Sequence, residues 1–357
     1  MRERRLAVNW NGRIAIIGSG VAGSFLAWLL RDSEVRVTLF EQRRLYDKPC
    51  GEAVPADVIS LIDKDVISKF IRHKIRVVYL YIKCGGWYHK AADFNKTVGF
   101  ILDKRKFIMH LRQEAMKGDA VNIKWVSQKP ERLLQFFDLV VDARGPYSDF
   151  PEYDRILVAQ GFKNDTPKSL PFNADLNSIY FWFFETFQGY AWAFPSAHEY
   201  GRWNVGIGTP MKKYDLRNLT EKLFGKVSNL KISKIKIVGL KRYKNDRCVR
   251  IGEAGGFLIP FTGEGIRPAL ESAYALSRDI IQRSITLRNL RTLAHTYSRY
   301  HRIYKLLRCI GAKGVIQVML RLNVEDLRNF IYLGTGVSEI LRFSQSLLKN
   351  FIKIRKI

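Results

Sequence analysis

The sequence predicts an α/β protein of two interleaved parts, a Rossmann-type parallel sheet and an antiparallel sheet, followed by a helical C-terminal region. Three observations predict it. RIAIIGSGVAGSFLAWLLRD runs from an apolar strand through a glycine loop into an amphipathic helix. Two more strand-and-glycine-turn segments, DLVVDARGPYS and CVRIGEAGGFLIPFTGEGIRPALESAYALSRDII, come much later in the chain. Two β-rich stretches, about 76–99 and 151–245, lie between these pieces.

The first segment carries the clearest chemistry. Ile14 to Ile17 form the strand, and Gly18, Gly20 and Gly23 fit G-x-G-x-x-G. The first glycine permits a tight turn, the second lets a pyrophosphate approach the backbone, and the third lets helix pack on strand. Free amides and the positive end of the helix dipole, with Ala22 in the first turn, then face the phosphates. VRVTLF reads as the next strand and ends in Glu41 and Gln42, close to the ~20-residue spacing of an acid that grips a ribose hydroxyl. Ala143 and Gly145 mark the turn after the DLVVD strand. Gly252 and Glu253 follow the CVRI strand, and Gly263, Gly265 and Ile266 open a long helix. Three such segments, far apart in sequence, suit a large cofactor lying across the sheet edge.

GYAWAFP, Gly189 to Pro195, is the most unusual stretch. Tyr190, Trp192 and Phe194 alternate with Ala191 and Ala193, so a strand places three rings on one face and two methyl groups on the other. Two readings fit: a wall for a flat apolar ligand, or bulk filling a core under the sheet.

Composition narrows the partners. Lys and Arg number 60 against 33 Asp and Glu, a net charge of +27, which points to an acidic partner. The basic residues are spread along the chain and no zinc-finger or RRM pattern occurs. An anionic membrane surface or phospholipid is therefore preferred and no nucleic acid is expected. Cys50, Cys84, Cys248 and Cys309 form no C-x-x-C pair and the six histidines show no ligand spacing. No metal and no disulfide framework are expected, and an intracellular compartment fits. The basic start, MRERRLAVNWNG, leads into no apolar run, so no signal peptide is expected. The richest apolar run is broken by Glu185, Gln188 and Gly189, so no transmembrane helix is expected.

Taken together, the glycine loop with Glu41, KPCGEA (Lys48 to Ala53), Arg105 in LDKRKFIMHL, GYAWAFP with the following GRWNVGIG, and GEAGGFLIPFTGEGI resemble the geranylgeranyl reductase family of flavoproteins. The resemblance spans roughly residues 13 to 285. It implies an FAD-binding domain of the p-hydroxybenzoate hydroxylase type, in which the last glycine loop and helix N-terminus lie under the flavin pyrimidine. It implies an oxidoreductase that saturates carbon–carbon double bonds of geranylgeranyl chains, in membrane lipids or their precursors. Arg105 would then hold the flavin or its phosphates, Gly145 would lie near the pyrophosphate, and Glu253 would replace the family's aspartate at the ribityl and phosphate region. Cys50 and Gly51 would approach the flavin, with Cys50 a proton donor, a redox-sensitive lid residue or an inert thiol. Tyr190 and Trp192 would act in catalysis, and these two with Phe194, Pro195 and Gly206 would line an isoprenoid channel. Arg144, in DARGP, is a further phosphate ligand on this reading.

The implied partners are an isoprenoid lipid and an electron donor that could be NADPH, ferredoxin or a quinol. The expected location is cytoplasmic, peripheral on the inner face of the membrane. Two alternatives share the fold: a flavin monooxygenase or halogenase, and a flavin-bound lipid carrier without turnover. The expected organisation puts residues 1–75, 100–150 and 246–290 in the FAD domain, 76–99 and 151–245 in the β domain, and 291–357 in a helical region. Its last stretch, around residues 339 to 357, carries an apolar face against a basic one, which suits either a membrane-surface helix or a cap on the domain.

Overall fold

The computed structural model describes residues 12–45, 48–149, 154–167, 169–171, 174–210, 214–237, 247–284 and 286–321. In chain order its first elements are β1 (Arg13–Ile17), α1 (Val21–Leu29), β2 (Arg36–Phe40), β3 (Ala53–Pro55), α2 (Lys64–Ile67), β4 (Ile71–Ile75), β5 (Val77–Cys84), β6 (Gly86–Asp93), β7 (Gly99–Leu102) and α3 (Lys104–Ala115). Then come β8 (Val121–Lys124), α4 (Pro130–Leu133), β9 (Leu139–Asp142), β10 (Asp154–Lys163), β11 (Ser178–Phe184), β12 (Phe187–Pro195) and β13 (Trp203–Thr209). The chain continues with α5 (Leu216–Phe224), β14 (Ser228–Ile237), β15 (Cys248–Arg250), α6 (Ile266–Ile281) and α7 (Arg288–Arg321). The protein divides into two compact units. One comprises residues 1–47, 104–155 and 235–301, the other 48–103, 156–234 and 302–357.

The first unit is a five-stranded parallel sheet in the order β15-β9-β1-β2-β8. Ile14 to Ile17 and the whole of β9 are buried, as parallel strands covered on both faces require. On one face α1 packs against α3 and α6. On the other, Ala15, Ile17, Phe40, Val140 and Cys248 meet Leu133 of α4. Cys248 is thus a small buried hydrophobe.

The second unit contains a seven-stranded sheet, β14-β10-β13-β12-β11-β5-β6, and a three-stranded sheet, β3-β7-β4. The two β-rich insertions join in one sheet, as expected, but their shared pair, β5 with β11, is parallel, whereas β5–β6, β11–β12, β12–β13 and β10–β13 are antiparallel. Residues 48–75, expected with the nucleotide-binding part, lie in this second unit because β3 and β4 both pair with β7. One sheet face packs Ala191 and Ala193 with Tyr180, Trp182, Trp203, Val205, Ile207 and, from α5, Leu216 and Phe224. That face is already full of rings, so the alternating part of β12 adds methyl groups to it, with Phe187 at the start of the strand.

The first two helical stretches expected near the C-terminus form α7, which breaks at Gly311 (φ 69°, ψ −179°). The segment 339–357 lies outside the described residues. Beyond the break, Ile316 and Met319 of α7 pack on Val78, Leu80 and Ile82 of β5, and Lys90 Nζ donates to the carbonyls of Met319 and Leu320 at 2.9 Å each.

Candidate active site

In the first unit the glycine loop has the geometry its sequence requires. Gly18 sits at φ +92°, where a Cβ would lie 2.7 Å from the Ala143 carbonyl oxygen. A Cβ at Gly23 would strike the Gly18 carbonyl, so the helix can meet the loop only with glycine there. Gly20 is the N-cap residue of α1 without a side-chain cap, and Val21 and Ala22 fill the first turn. The amides of that turn have no partner within the helix, which is what an anionic group needs.

Glu41 stands at the end of β2, where the spacing put it, but its carboxylate is engaged by the protein. Oε2 accepts from Ser19 N (2.8 Å) and Ser19 Oγ (2.9 Å), and Oε1 accepts from Gln42 N (2.8 Å) and Arg43 N (2.9 Å). A carboxylate with two oxygens can still accept more, so a ribose hydroxyl would share an acid already held in one rotamer. Beside it, Arg112 of α3 donates from Nε (3.1 Å) and Nη2 (2.7 Å) to the Ser19 carbonyl and from Nη1 (2.8 Å) to that of Arg44. Arg105 instead lies exposed on the first turn of α3. The arginine that organises the loop is Arg112, two helical turns further on. Trp125, just past β8 and exposed, has the guanidinium groups of Arg44 and Arg112 over its ring at 5.7 and 5.9 Å. Arg112→Leu should leave the Ser19 and Arg44 carbonyls short of donors and weaken dinucleotide binding about tenfold, roughly 1.4 kcal/mol, read by titration calorimetry.

The second and third segments reach the same sheet edge. Ala143 backs Gly18, and Gly145 turns at φ +60°. Arg144 is engaged by carboxylates of the protein. It binds the buried Asp142 through Nε and Nη2 at 2.9 Å each and Asp149 through Nη1 at 3.1 Å. Burial opposes its charge, yet the bonds to Asp142 and Asp149 outweigh that and raise its pKa. Gly252 turns at φ +59°, donates its N–H to Ser272 Oγ and lies against Ala22, closing the packing of this loop on α1. Glu253 Oε1 accepts from the Lys236 N–H at 2.9 Å, so this acid is held by the backbone of β14. Gly263 has φ +70°, and Gly265 precedes Ile266 as the uncapped N-cap residue of α6. Behind it the buried Arg267 bridges Glu264 (2.8 Å) and Glu271 (3.4 Å), and Tyr297 donates to Glu271 at 2.6 Å. Burial pushes the Tyr297 hydroxyl well above its ordinary pKa, so it stays a neutral donor that fixes this end of the helix.

In the second unit the alternation in GYAWAFP takes the form expected. Tyr190, Trp192 and Phe194 share the face opposite the Ala191 and Ala193 core, joined by Phe181 and Phe183 of β11. Ring centres are 5.7 Å apart for Phe181–Tyr190, 5.2 Å for Phe181–Phe194, 5.8 Å for Phe183–Tyr190, 6.0 Å for Tyr190–Trp192 and 6.3 Å for Trp192–Phe194. Trp192 lies over Gly206 of β13, where any Cβ would meet the indole, and its Nε1 donates to Asn204 Oδ1 at 3.4 Å. Asn204 Nδ2 in turn donates to the Cys50 carbonyl at 2.8 Å. A Cβ on Gly51 would sit 2.6 Å from Phe194 Cε2 and 3.5 Å from Trp192 Nε1, so the KPCGEA loop lies directly on the wall. Pro195 ends the strand, buried. Cys50 is part-exposed, and its Sγ accepts the Glu52 N–H at 3.3 Å. Glu52 is buried at φ +62°, with His198 Nε2 3.2 Å from its Oε2.

Sequence reasoning missed Arg112, Trp125, Asn204 and the Glu52–His198 pair. Asn204 and Glu52 lie inside the quoted motifs GRWNVGIG and KPCGEA, as polar residues in otherwise apolar or glycine-rich runs. Arg112 and Trp125 carry no such local mark.

A sequence family described as an NAD(P)-binding Rossmann-like domain matches residues 16–53. The digeranylgeranylglycerophospholipid reductase of Methanococcus vannielii is 24% identical over 77% of this chain and 78% of its own. Among solved structures, a geranylgeranyl bacteriochlorophyll reductase-like protein of Thermoplasma acidophilum superposes with a TM-score of 0.66 at 16% identity, covering 96% of this chain and 98% of its own. The halogenase PltM does so with a TM-score of 0.66 at 13% identity, covering 96% and 85%. These likenesses bear out the Rossmann-type fold and the expectation of an oxidoreductase, and they make the chain a distant relative of the geranylgeranyl reductases.

Proposed function

We propose that this protein is an FAD-dependent reductase that saturates carbon–carbon double bonds of geranylgeranyl chains, carried by membrane lipids or their precursors. The observation that supports it most is the five-ring wall, with the Cys50–Gly51 loop laid on Trp192 and Phe194. The glycine loop, its engaged Glu41 and the uncapped N-termini of α1 and α6 fit a flavin dinucleotide. When bound and reduced, FAD supplies a hydride equivalent.

The chain's own residues supply the rest. An isolated trisubstituted alkene has no carbonyl to draw its electrons, so it accepts hydride only as a proton arrives. One C=C π bond is then replaced by two C–H bonds, with positive charge developing on the more substituted carbon. Rings flanking that carbon exclude water and stabilise the charge, about 2 kcal/mol or more for a desolvated cation over an aromatic face. Cys50 is the proton donor on this reading. Its Sγ is oriented by the Glu52 N–H, which donates to it at 3.3 Å. Asn204 holds both Trp192 and the Cys50 backbone, so one side chain sets the distance between wall and acid.

Trp192→Leu should slow alkene reduction at least ~10-fold, a decade being about 1.4 kcal/mol, while flavin content and flavin reduction stay unchanged. Single-turnover oxidation of photoreduced enzyme by an isoprenoid lipid, without oxygen, reads this directly. Equal rates in variant and parent would leave the rings as core. The same assay separates the alternatives, because a monooxygenase or halogenase needs oxygen and a carrier returns its lipid unchanged. Reloading the flavin takes two electrons from NADPH, ferredoxin or a quinol. Among the described residues no helix is long and apolar enough to cross a membrane, and the proposed association with an anionic membrane is peripheral.

A further inference from the structure

The tip of the β5–β6 hairpin exposes the two largest amphipathic side chains of its strand. Trp87 and Tyr88 are 54% and 50% exposed, on opposite faces of β6, which is an edge strand. Lys83, paired with Trp87 across the hairpin, holds its ammonium 5.3 Å from the indole centre. The β11–β12 turn lies beside the tip, since Phe184 pairs with Lys83 and its ring meets Trp87 edge-on at 6.1 Å. From Lys83 to Lys90 the sequence has two lysines and a histidine but no acid. The acid of the neighbouring turn, Glu185, is held by the hairpin tip, accepting from Gly85 N at 3.0 Å and Cys84 Sγ at 3.3 Å. Tryptophan and tyrosine beside lysine are the side chains that settle at a lipid headgroup boundary, where one end is apolar and the other wet.

Burial along the ring wall runs in the same direction. In β12, Gln188, Gly189 and Tyr190 are half-buried and Ala191 to Pro195 are buried. In β11 the wall residues Phe181 and Phe183 are both half-buried. Along β12 the wall is therefore least buried at the hairpin end, by Tyr190, and covered at the Cys50–Gly51 end.

We propose that the tip of the β5–β6 hairpin, with the adjoining β11–β12 turn, docks the protein on an anionic lipid bilayer and admits the lipid chain to the ring wall from the Tyr190 end. The docking half stands on exposure and charge. The entry half rests on the isoprenoid reading of the wall.

The test uses the full-length, flavin-loaded protein and vesicles of saturated phosphatidylglycerol and phosphatidylcholine, which contain no isoprenoid. Co-sedimentation should show binding to the anionic vesicles that falls at least ~10-fold in Trp87→Ser/Tyr88→Ser, with flavin content and circular dichroism unchanged. Ile232→Ser, an exposed apolar residue elsewhere (55%), should bind like the parent. Trp87→Phe should keep binding but lose the part of the tryptophan quenching that brominated lipid causes. Equal vesicle binding by parent and double variant overturns docking at this tip. So does a dimer seen by light scattering that the double variant abolishes without any vesicle binding, which would give the β6 edge to a second copy of the chain. For entry, turnover of vesicle-embedded isoprenoid lipid should fall with docking while turnover of detergent-dispersed lipid is retained. A double variant that no longer docks yet turns over vesicle lipid at the parent rate overturns the entry route. Absence of turnover in the parent sinks the reductase reading and leaves the vesicle result standing.

Discussion

Gly18→Val should abolish tight flavin binding, weakening it at least ~100-fold, about 2.7 kcal/mol. Two effects act on one residue. At φ +92° a β-branched side chain is strained by about 1–2 kcal/mol. Its Cβ would also stand 2.7 Å from the Ala143 carbonyl oxygen and 2.9 Å from Arg144 Cα, both backbone, which no rotamer change relieves. The loop must move away from the end of β9, carrying with it the N-terminus of α1 and the Ser19 groups that hold Glu41. The measurement is flavin stoichiometry after gel filtration, with circular dichroism to show that the sheet persists. A yellow, stoichiometric variant would mean the dinucleotide does not depend on this loop.

Trp182→Ala should cost about 3–5 kcal/mol of stability in the second unit, the cost of emptying a large buried ring site. Trp182 is 2% exposed. It stacks on Tyr81 at 5.5 Å and 13° and meets Phe224 of α5 edge-on at 5.5 Å. Nothing polar nearby could fill the cavity usefully, so the lining loses its contacts outright. Thermal unfolding should begin on the order of 10 °C lower, and flavin binding measured at low temperature should be unchanged. Trp192 lies on the opposite face of the same sheet, so the pair separates a ring that holds the sheet together from rings proposed to serve the substrate. Equal melting of Trp182→Ala and the parent would show that α5 and this face are not a cooperative core.

How much of this was legible in the sequence depended on how local the constraint is. The glycine loop could be read because each glycine answers a backbone requirement within a few residues. The faces of GYAWAFP could be read because alternation along a strand is geometric. What the alanine face packs against could not, since that depends on α5 and on Trp182 and Tyr180 arriving from another strand. Arg105 and Arg112 are both arginines of one helix, and only the packing of α3 on α1 decides which reaches Ser19. The engagement of Arg144 with Asp142 rests on a side-chain fold-back that neighbouring residues in sequence leave open. The parallel β5–β11 pair is set by a connection that passes through another unit, and strand alternation says nothing about it.

The interleaving of the two units has a kinetic consequence. β1 pairs with β9, and β9 with β15, so the parallel sheet closes only when residues 248–250 have been made. α6, which packs on α1, comes later still. Nearly all of the second unit's strands emerge from the ribosome before that point. Until then β9 lacks its outer neighbour, and contacts so distant in sequence pay the loop-closure entropy before any pairing is gained. The nucleotide-binding sheet is thus the first begun and the last completed, and the nascent chain carries the outer edge of β9 unpaired until residue 250 is made, an edge of the kind that chaperones cover.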